Sequence, residues 1–238
     1  MFTPIGYFAP QTTPFSPDDI SGLQLWYDIA NSACYPGSGT TVSDLKQTRP
    51  SLYRDSTING SYTYDGTSKS ILIDNLTTAA SNIQLSANSS YPLSTSRKFT
   101  ISVWVKLIDF RGAFSRIWRM GTTSNGNYPT FGKYSGSSPY SYSIYDGNWQ
   151  NPALSIPMNV WTNMTITYNT NTFKLYENGS NIWTHVASSP DTNEQYLLYL
   201  LGTTNDEGSK GYLGACYVYN RDLTSTEVSD IYNGTNRY

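Results

Sequence analysis

Charged side chains are scarce in this chain. They make up 13% of the 238 residues, about half of the roughly 25% that is typical of soluble domains, and the net charge is −2. Nucleic-acid binding rests on neutralising phosphates with clustered Lys and Arg, and this composition offers no broad surface of that kind. A nucleic-acid partner is therefore not expected.

Histidine and cysteine are also scarce. His185 is the only histidine, and Cys34 and Cys216 are the only cysteines. This set does not provide the Cys/His spacing of zinc sites, and one bridge between Cys34 and Cys216, although it could form, is not a disulfide framework. Cys216 lies in an apolar strand pattern, which favours a buried thiol. A Ser/His/Asp triad would have to use His185, and the chain has no Gly-x-Ser-x-Gly motif, so a triad is not predicted.

Long hydrophobic runs are missing. No segment approaches the ~18 consecutive apolar residues of a membrane span, so no membrane partner is expected. The N-terminus has no basic segment, and Pro4, Pro10, Pro14 and Pro17 interrupt its apolar residues, so a secretory signal peptide is not predicted. These prolines favour an extended conformation over residues 1–20. We expect residues 1–20 to form an N-terminal arm that anchors the chain to a partner through Phe2, Ile5, Tyr7, Phe8 and Phe15.

From residue 21 onward, apolar residues recur with a period of two instead of 3.6. Ile101, Val103 and Val105 alternate with residues of the opposite face, and the segments 71–73, 164–168, 173–176 and 213–219 follow the same pattern. Such alternation indicates β-strands. Asn-Gly and Asp-Gly pairs, which are typical of tight turns, separate the strands. The pattern predicts an all-β sandwich over residues 21–238.

One helix is predicted near the C-terminus. Thr224 and Glu227 have the spacing of a capping box, in which each side chain accepts a hydrogen bond from the backbone N–H of the other residue. The helix is expected to run to about Tyr232 and to end at Gly234.

Several segments resemble, in order and spacing, those of laminin-G-like (concanavalin A-like) domains. They are GLQLWYD at 22–28, YDGT at 64–67, FTISVWVK at 99–106, FKLYENG at 173–179 and GYLGACYVYNRDLT at 211–224. The resemblance covers residues 22–238 and implies a two-sheet antiparallel jelly-roll sandwich with one short C-terminal helix. YPGSGTT at 35–41 and YNRDLT at 219–224 are similar to the variety that is frequent in phage and large DNA virus virion proteins.

Two departures from the family pattern affect the search for a site. Many relatives carry Asp-Glu where this chain has Gly214 and Ala215, so a role of those acids is in doubt here. The segment 112–149 fits the pattern only loosely, so we expect features particular to this protein in it.

Tyrosine is abundant in that segment and in the whole chain, which has 21. Aromatic faces stack on the C–H faces of sugars, while Asn, Asp and Ser bond to hydroxyls, and antibody combining sites use a similar mixture. The candidate carbohydrate-binding residues are Tyr128, Tyr134, Tyr140, Tyr142, Asp146, Asn148 and Trp149. The alternative is an ordinary tyrosine-rich sheet, in which about half of these rings are buried because one face of each strand must pack on the core.

The carboxylates argue against an enzyme. The same sandwich hosts laminarinase-type glucanases, which need two carboxylates that flank the scissile bond, as in Glu-x-Asp-x-x-Glu. The glutamates of this chain are Glu177, Glu194, Glu207 and Glu227, and none has an Asp two residues later. The sequence therefore predicts a protein without catalytic activity.

Calcium is the cofactor that the resemblance suggests, although the predicted function does not require a cofactor. Laminin-G-like domains often bind one Ca²⁺ near the rim of the sandwich, with oxygen ligands. Asp65 and Asp206 are the candidate ligands in this chain. The alternative is that Asp65 only forms an Asx-type turn with Gly66.

Two functions from different classes fit these observations. We predict a non-enzymatic structural protein of a virion, such as a minor capsid, decoration or tail component, that is assembled in the host cytoplasm. Its arm, residues 1–20, would contact other virion or capsid proteins in a homo- or hetero-oligomeric assembly. The alternative is an adhesion module, with an extracellular location, that recognises host or environmental glycans.

Overall fold

The computed structural model describes residues 14–46, 54–76, 80–86, 98–112, 115–121, 130–133, 140–145, 149–186, 197–203 and 207–237. In chain order the strands are β1 (Leu23–Asp28), β2 (Thr41–Val42), β3 (Ser56–Asn59), β4 (Tyr62–Asp65), β5 (Ser70–Ile73), β6 (Asn82–Ser86), β7 (Lys98–Phe110), β8 (Arg116–Met120), β9 (Thr130–Lys133), β10 (Tyr142–Tyr145), β11 (Trp149–Gln150), β12 (Trp161–Asn169), β13 (Thr172–Glu177), β14 (Ser180–Val186), β15 (Leu197–Leu200) and β16 (Ser209–Tyr219). A 3-10 helix spans Pro17–Asp19, and one α-helix, α1, spans Ser225–Thr235.

The strands form two antiparallel sheets, which confirms the predicted sandwich. Sheet A has the order β14-β13-β12-β7-β16-β5-β4, and β1 pairs with β16 beyond the end of β5. Sheet B has the order β11-β10-β9-β8-β15-β6-β3-β2. The long strands β7 and β16 pair from Phe110 opposite Ser209 to Thr100 opposite Tyr219 and form the middle of sheet A.

The main core lies between the two sheets. Ile101, Val103 and Val105 of β7 are buried in it, as their alternation predicts. Residues of the opposite sheet meet them, among them Trp118 of β8 and Phe131 of β9. Phe99 contacts the Trp118 ring edge-on, with the ring centroids 6.1 Å apart.

The helix α1 begins at the predicted capping box. The Thr224 hydroxyl accepts from the Glu227 N–H at 3.3 Å, and the Glu227 carboxylate accepts from the Thr224 N–H at 2.8 Å. The helix continues through Gly234 to Thr235, one residue past its expected end. Gly234 lies within the helix, and a larger residue would not fit there, because a Cβ atom would meet the Phe15 ring at 2.2 Å.

Part of the outer face of sheet A is covered by α1. Trp104 is 2% exposed, stacks on Tyr232 with ring centroids 5.6 Å apart, and donates from Nε1 to the Thr235 hydroxyl at 2.8 Å. Val228 and Ile231 of the helix complete a second apolar cluster on this face. Strand β7 is therefore buried on both sides.

Residues 14–20 are part of the domain. The expected extended conformation is wrong for Pro17–Asp19, because the side chain of Ser16 accepts from the Asp18 N–H and the Asp19 carboxylate accepts from the Ser16 N–H, which caps a short 3-10 helix. The Tyr219 hydroxyl donates to the Pro17 carbonyl at 2.9 Å. Phe15 is partly buried against α1 instead of being available to a partner. The other predicted anchoring residues lie outside the described part of the chain, namely Phe2, Ile5, Tyr7 and Phe8.

Both cysteines are buried free thiols. The Cys34 sulfur accepts from the Asp28 N–H at 3.3 Å, and burial raises the pKa of this thiol to about 12. Cys216 lies on β16 in the main core, as the apolar pattern predicted. Of the helices in the described ranges, none is long and apolar enough to cross a membrane.

Candidate functional site

A row of polar side chains crosses the outer face of sheet B. Inward-facing residues such as Leu85, Leu198 and Phe131 are buried in the core, so their neighbours along each strand face outward. Cross-strand pairing then places five of these neighbours side by side, from β3 to β9. We call them the polar row: Thr57, Gln84, Tyr199, Arg119 and Thr130.

Two arginines meet one glutamate at the polar row. Arg116 Nη2 lies 2.9 Å from Glu207 Oε1, and Arg119 Nη1 lies 3.5 Å from Glu207 Oε2. The Thr203 hydroxyl donates to the same carboxylate at 3.3 Å. Burial lowers the pKa of Arg116 to about 10, while Glu207 opposes this shift.

Amide side chains extend the row towards β3. Asn59 Nδ2 donates to Asn82 Oδ1 at 3.1 Å and to Gln84 Oε1 at 3.4 Å. Asn82 in turn donates to the Thr203 carbonyl at 3.0 Å. Thr57 is exposed and Gln84 is partly exposed, so this end of the row is open to solvent, whereas Tyr199 is buried.

The need for stability does not explain this arrangement. Taking an Arg–Glu–Arg cluster out of water costs about as much as its mutual attraction returns, and apolar replacements of similar volume are often neutral or stabilising. Where α1 packs on sheet A, the outer face of that sheet is apolar instead. Sheet B keeps hydroxyl, amide, guanidinium and carboxylate groups on its outer face, which is a set suited to binding a polar ligand.

Tyr142 is not a binding residue, which corrects the prediction from sequence. Its ring is fully buried in the core and stacks on Phe131 with ring centroids 5.3 Å apart. Its hydroxyl donates to Glu177 Oε2 at 3.0 Å. The alternation of β10 gives two faces, and Tyr142 and Ile144 occupy the face that packs between the sheets.

Tyr140 is partly buried and is held by its own domain. Its hydroxyl donates to Asp109 Oδ1 at 2.9 Å, and Lys133 Nζ lies 4.5 Å from the centroid of its ring. Phe110 meets the ring in a T-shaped contact at 4.8 Å. The bond to Asp109 raises the pKa of Tyr140. Its polar group and its ring are therefore both engaged within the protein.

The remaining carbohydrate candidates fall in or beside segments that the structure does not describe. Tyr128, Tyr134, Asp146 and Asn148 are outside the described residues. Trp149 begins β11, and its backbone pairs with Tyr145 of β10, which pairs with Thr130. The register thus places the Trp149 backbone two strands beyond Thr130, at the edge of sheet B.

The structure describes one of the two candidate calcium ligands, Asp65. Asp65 Oδ1 accepts from the Thr67 N–H at 2.8 Å, and Asp65 Oδ2 accepts from the Ser68 hydroxyl at 2.8 Å. The bond from Ser68 lowers the pKa of Asp65. Asp65 therefore forms the Asx-type turn that the sequence analysis gave as the alternative to a role as a calcium ligand. Asp206 lies outside the described residues, and among those that are described no three His, Cys, Asp or Glu residues group to hold a metal ion.

The sequence did not single out Arg119 or Tyr199 as site residues. In RIWRM at 116–120 and LLYL at 197–200, Arg119 and Tyr199 are polar or amphipathic residues between apolar neighbours. That signal marks Arg119 and Tyr199 as outward-facing. It does not reveal their partner, because Glu207 lies 88 residues from Arg119 along the chain.

Solved structures with the same fold include carbohydrate-binding proteins. Domain 4 of AbnA, an extracellular arabinanase from Geobacillus stearothermophilus in complex with arabinotriose, is 19% identical with a TM-score of 0.65, covering 88% of this chain and 97% of that one. The binding domain of botulinum neurotoxin DC in complex with rat synaptotagmin II is 14% identical with a TM-score of 0.66, covering 93% of this chain and 53% of that one. The Trypanosoma rangeli sialidase in complex with the inhibitor DANA is 13% identical with a TM-score of 0.62, covering 92% of this chain and 35% of that one.

At these identities the likeness establishes the fold alone. This chain spans about half of the toxin binding domain and nearly all of the arabinanase domain. No curated protein matches the sequence significantly. The model of one family does match, over residues 77–229, which is more than half of the chain. The chain belongs to the concanavalin A-like lectin/glucanases superfamily.

Proposed function

We propose that the chain is a non-catalytic carbohydrate-binding domain whose saccharide site is the polar row on the outer face of sheet B. The observation that carries the proposal is the Arg116–Glu207–Arg119 cluster beside Tyr199, on a sheet face that α1 does not cover. The Glu207 carboxylate, which is one quarter exposed, can accept hydrogen bonds from sugar hydroxyls, and the Gln84 amide and the Thr57 hydroxyl extend this polar surface towards β3.

The similar structures support this choice of ligand class. The arabinanase domain is in complex with arabinotriose, the botulinum neurotoxin DC binding domain is also known in complex with SialylT, and cell entry of botulinum neurotoxin type C depends on interaction with two ganglioside molecules. The ligands differ, while the sandwich is shared. We therefore propose a saccharide as the class of ligand for this chain, without specifying which sugar.

The described glutamates support the absence of catalysis. A retaining glycosidase needs two carboxyl groups about 5–5.5 Å apart on either side of the scissile bond. Here Glu177 accepts from Tyr142, Glu227 caps α1 and pairs with Arg221, and Glu207 pairs with two arginines. Each of these carboxylates is therefore already bound to a group of the protein itself.

A glycan array tests the proposal. The full chain is applied to a broad array that includes arabino-oligosaccharides and sialylated glycans, once with Ca²⁺ and once with a chelator. We expect saturable binding to at least one glycan. Loss of binding in the chelator would support a calcium site that includes Asp65, and Asp65→Asn should then reproduce that loss.

Two variants locate the site. Arg119→Met keeps the aliphatic stem and removes the guanidinium, and Gln84→Ala removes an amide at the open end of the row. Each should weaken binding by about tenfold, the effect of losing a hydrogen bond to a charged or polar group. Lys98→Ala, an exposed lysine at the start of β7 in the other sheet, is the matched control. Binding that survives both row variants, or a folded chain that binds no glycan, contradicts the proposal.

A structural role in a virion is a second proposal, which rests on the N-terminal sequence. The packing of Phe15 on α1 and the bond from Tyr219 to Pro17 hold residues 15–17 against the domain. If those residues anchor the chain in a particle, deleting 2–13 should prevent incorporation and leave the sandwich folded. Normal incorporation of the deleted protein would remove this role. The alternative to a virion protein is an adhesin with an extracellular location.

A further inference from the structure

A polar cleft lies in sheet A, away from the polar row. It opens where β12 turns into β13, beside the loop that leads into α1, and it has a volume of about 370 Å³. Its lining combines hydroxyls, amides, one ammonium and one carboxylate, from Thr167, Asn169, Thr170, Asn171, Thr172, Lys174, Asp222 and Leu223. We call it the hairpin cleft.

The walls of the hairpin cleft are held in place by the protein. Asn169 Nδ2 donates to Asp222 Oδ2 at 2.7 Å, which ties the hairpin to the loop before α1. The Tyr168 hydroxyl donates to the Thr170 carbonyl at 3.0 Å, and Thr170 holds a left-handed φ of 59°. A β-branched residue is strained in that conformation, so the surrounding structure must enforce it.

The lining indicates what kind of ligand fits. Pockets for small molecules measure about 300–1,000 Å³ and are usually lined by apolar side chains with few polar ones. The hairpin cleft has a volume in this range but the opposite lining, since Leu223 is its only apolar side chain. An apolar ligand would leave these hydroxyls and amides without partners, which costs free energy. A ligand with many hydroxyls would satisfy them.

The charges of the cleft indicate a neutral ligand. Lys174 is exposed at one side, and Asp222 is partly buried at the other. One positive and one negative group give no net preference for an anion or a cation. Both can bond to hydroxyls, Lys174 as a donor and Asp222 as an acceptor.

We propose that the hairpin cleft is a second saccharide site, which takes a neutral mono- or disaccharide through hydrogen bonds from its Thr, Asn, Lys and Asp side chains. This deepens the proposed function and rests on it, because it makes the domain bivalent. The polar row is on sheet B and the cleft is on sheet A, so the two sites do not share residues. Two sites on one chain raise the apparent affinity for a surface that carries many glycans.

NMR titration of the isotope-labelled full chain tests the second site. The probes are methyl glucoside, methyl galactoside, methyl mannoside and lactose, each added to saturation in the millimolar range. We expect saturable shifts, with at least one sugar, at residues 167–174 and 222–223. Asn171→Trp, which fills the cleft from a partly exposed turn, should abolish them. Lys174→Ala should weaken binding about tenfold.

The control and the location of the shifts separate the two proposals. Thr184→Ala changes an exposed residue of β14 that pairs with Lys174 and does not line the cleft, and it should leave the titration unchanged. Shifts confined to the polar row, or cleft shifts that survive both cleft variants, overturn the second site and keep the proposed function. Shifts confined to the cleft keep the second site and overturn the role of the polar row. A spectrum that no sugar changes overturns both.

Discussion

Asp44 gives this protein a pH dependence that a single substitution should remove. The carboxyl is 7% exposed, and its Oδ1 accepts from the backbone N–H groups of Trp26 at 2.9 Å and of Lys46 at 3.0 Å. Burial raises the pKa of Asp44 from 3.8 to about 6, and the nearby charge of Asp55 adds to this, although the two hydrogen bonds and Arg54 oppose it. Asp44→Asn keeps an oxygen for both N–H groups and removes the titration.

The sign and size follow from the two pKa values. A raised pKa in the folded state means that Asp44 contributes most to stability below its unfolded value of 3.8, and that this contribution is lost as the pH rises through about 6. At 1.36 kcal/mol for each pH unit, the contribution is roughly 3 kcal/mol. The free energy of unfolding of Asp44→Asn should therefore gain about 3 kcal/mol relative to the wild type between about pH 4 and about pH 7.

Urea denaturation at several pH values measures this difference. Both proteins are titrated with urea at several pH values between about 4 and about 7. The difference between their free energies of unfolding is then plotted against pH. Other titrating groups contribute equally to both proteins and cancel in the difference. A difference that does not change with pH would mean that Asp44 is solvated in the folded state, and would refute the reasoning.

Three further predictions concern the helix and the core. Glu227→Ala should lower the free energy of unfolding by about 1–2 kcal/mol at neutral pH, because the capping box and the pair with Arg221 are lost. Since the pKa of Glu227 is lowered to about 2, this loss should become smaller in urea titrations as the pH falls below 4.5. A loss that does not change with pH would contradict the prediction. Trp104→Ala should lower the unfolding free energy by about 4 kcal/mol by calorimetry, and a loss under about 1 kcal/mol would mean that α1 is not docked there. Tyr142→Phe should cost about 1 kcal/mol by removing the bond to Glu177, with glycan binding unchanged, whereas lost binding would restore Tyr142 to the site.

Local sequence signals predicted the elements well where neighbours in the chain decide the conformation. The Thr224–Glu227 capping box located the start of α1, because both hydrogen bonds join residues three apart. The Asn178-Gly179 pair predicted the turn between β13 and β14, where both residues have positive φ angles, of 49° and 78°. Residues of these types adopt that conformation with little strain.

The candidate site was predicted less well. The segment 112–149 was expected to hold the particular features of this protein, and it supplies β8, β9 and β10 of sheet B with Arg116 and Arg119. The choice of tyrosines within it was wrong for Tyr142. A period of two separates the faces of a strand, but it does not tell which face meets the core when both carry aromatic residues.

The sequence alone determined the all-β class, the turns and the C-terminal helix, because alternation, turn residues and capping depend on residues a few positions apart. The tertiary structure decided which faces are buried and which polar groups meet. Arg119 reaches Glu207 across 88 residues, and Asn169 reaches Asp222 across 53. Such pairs depend on strand order and register, which are set by packing over the whole sandwich, so they exist only once the two sheets have formed.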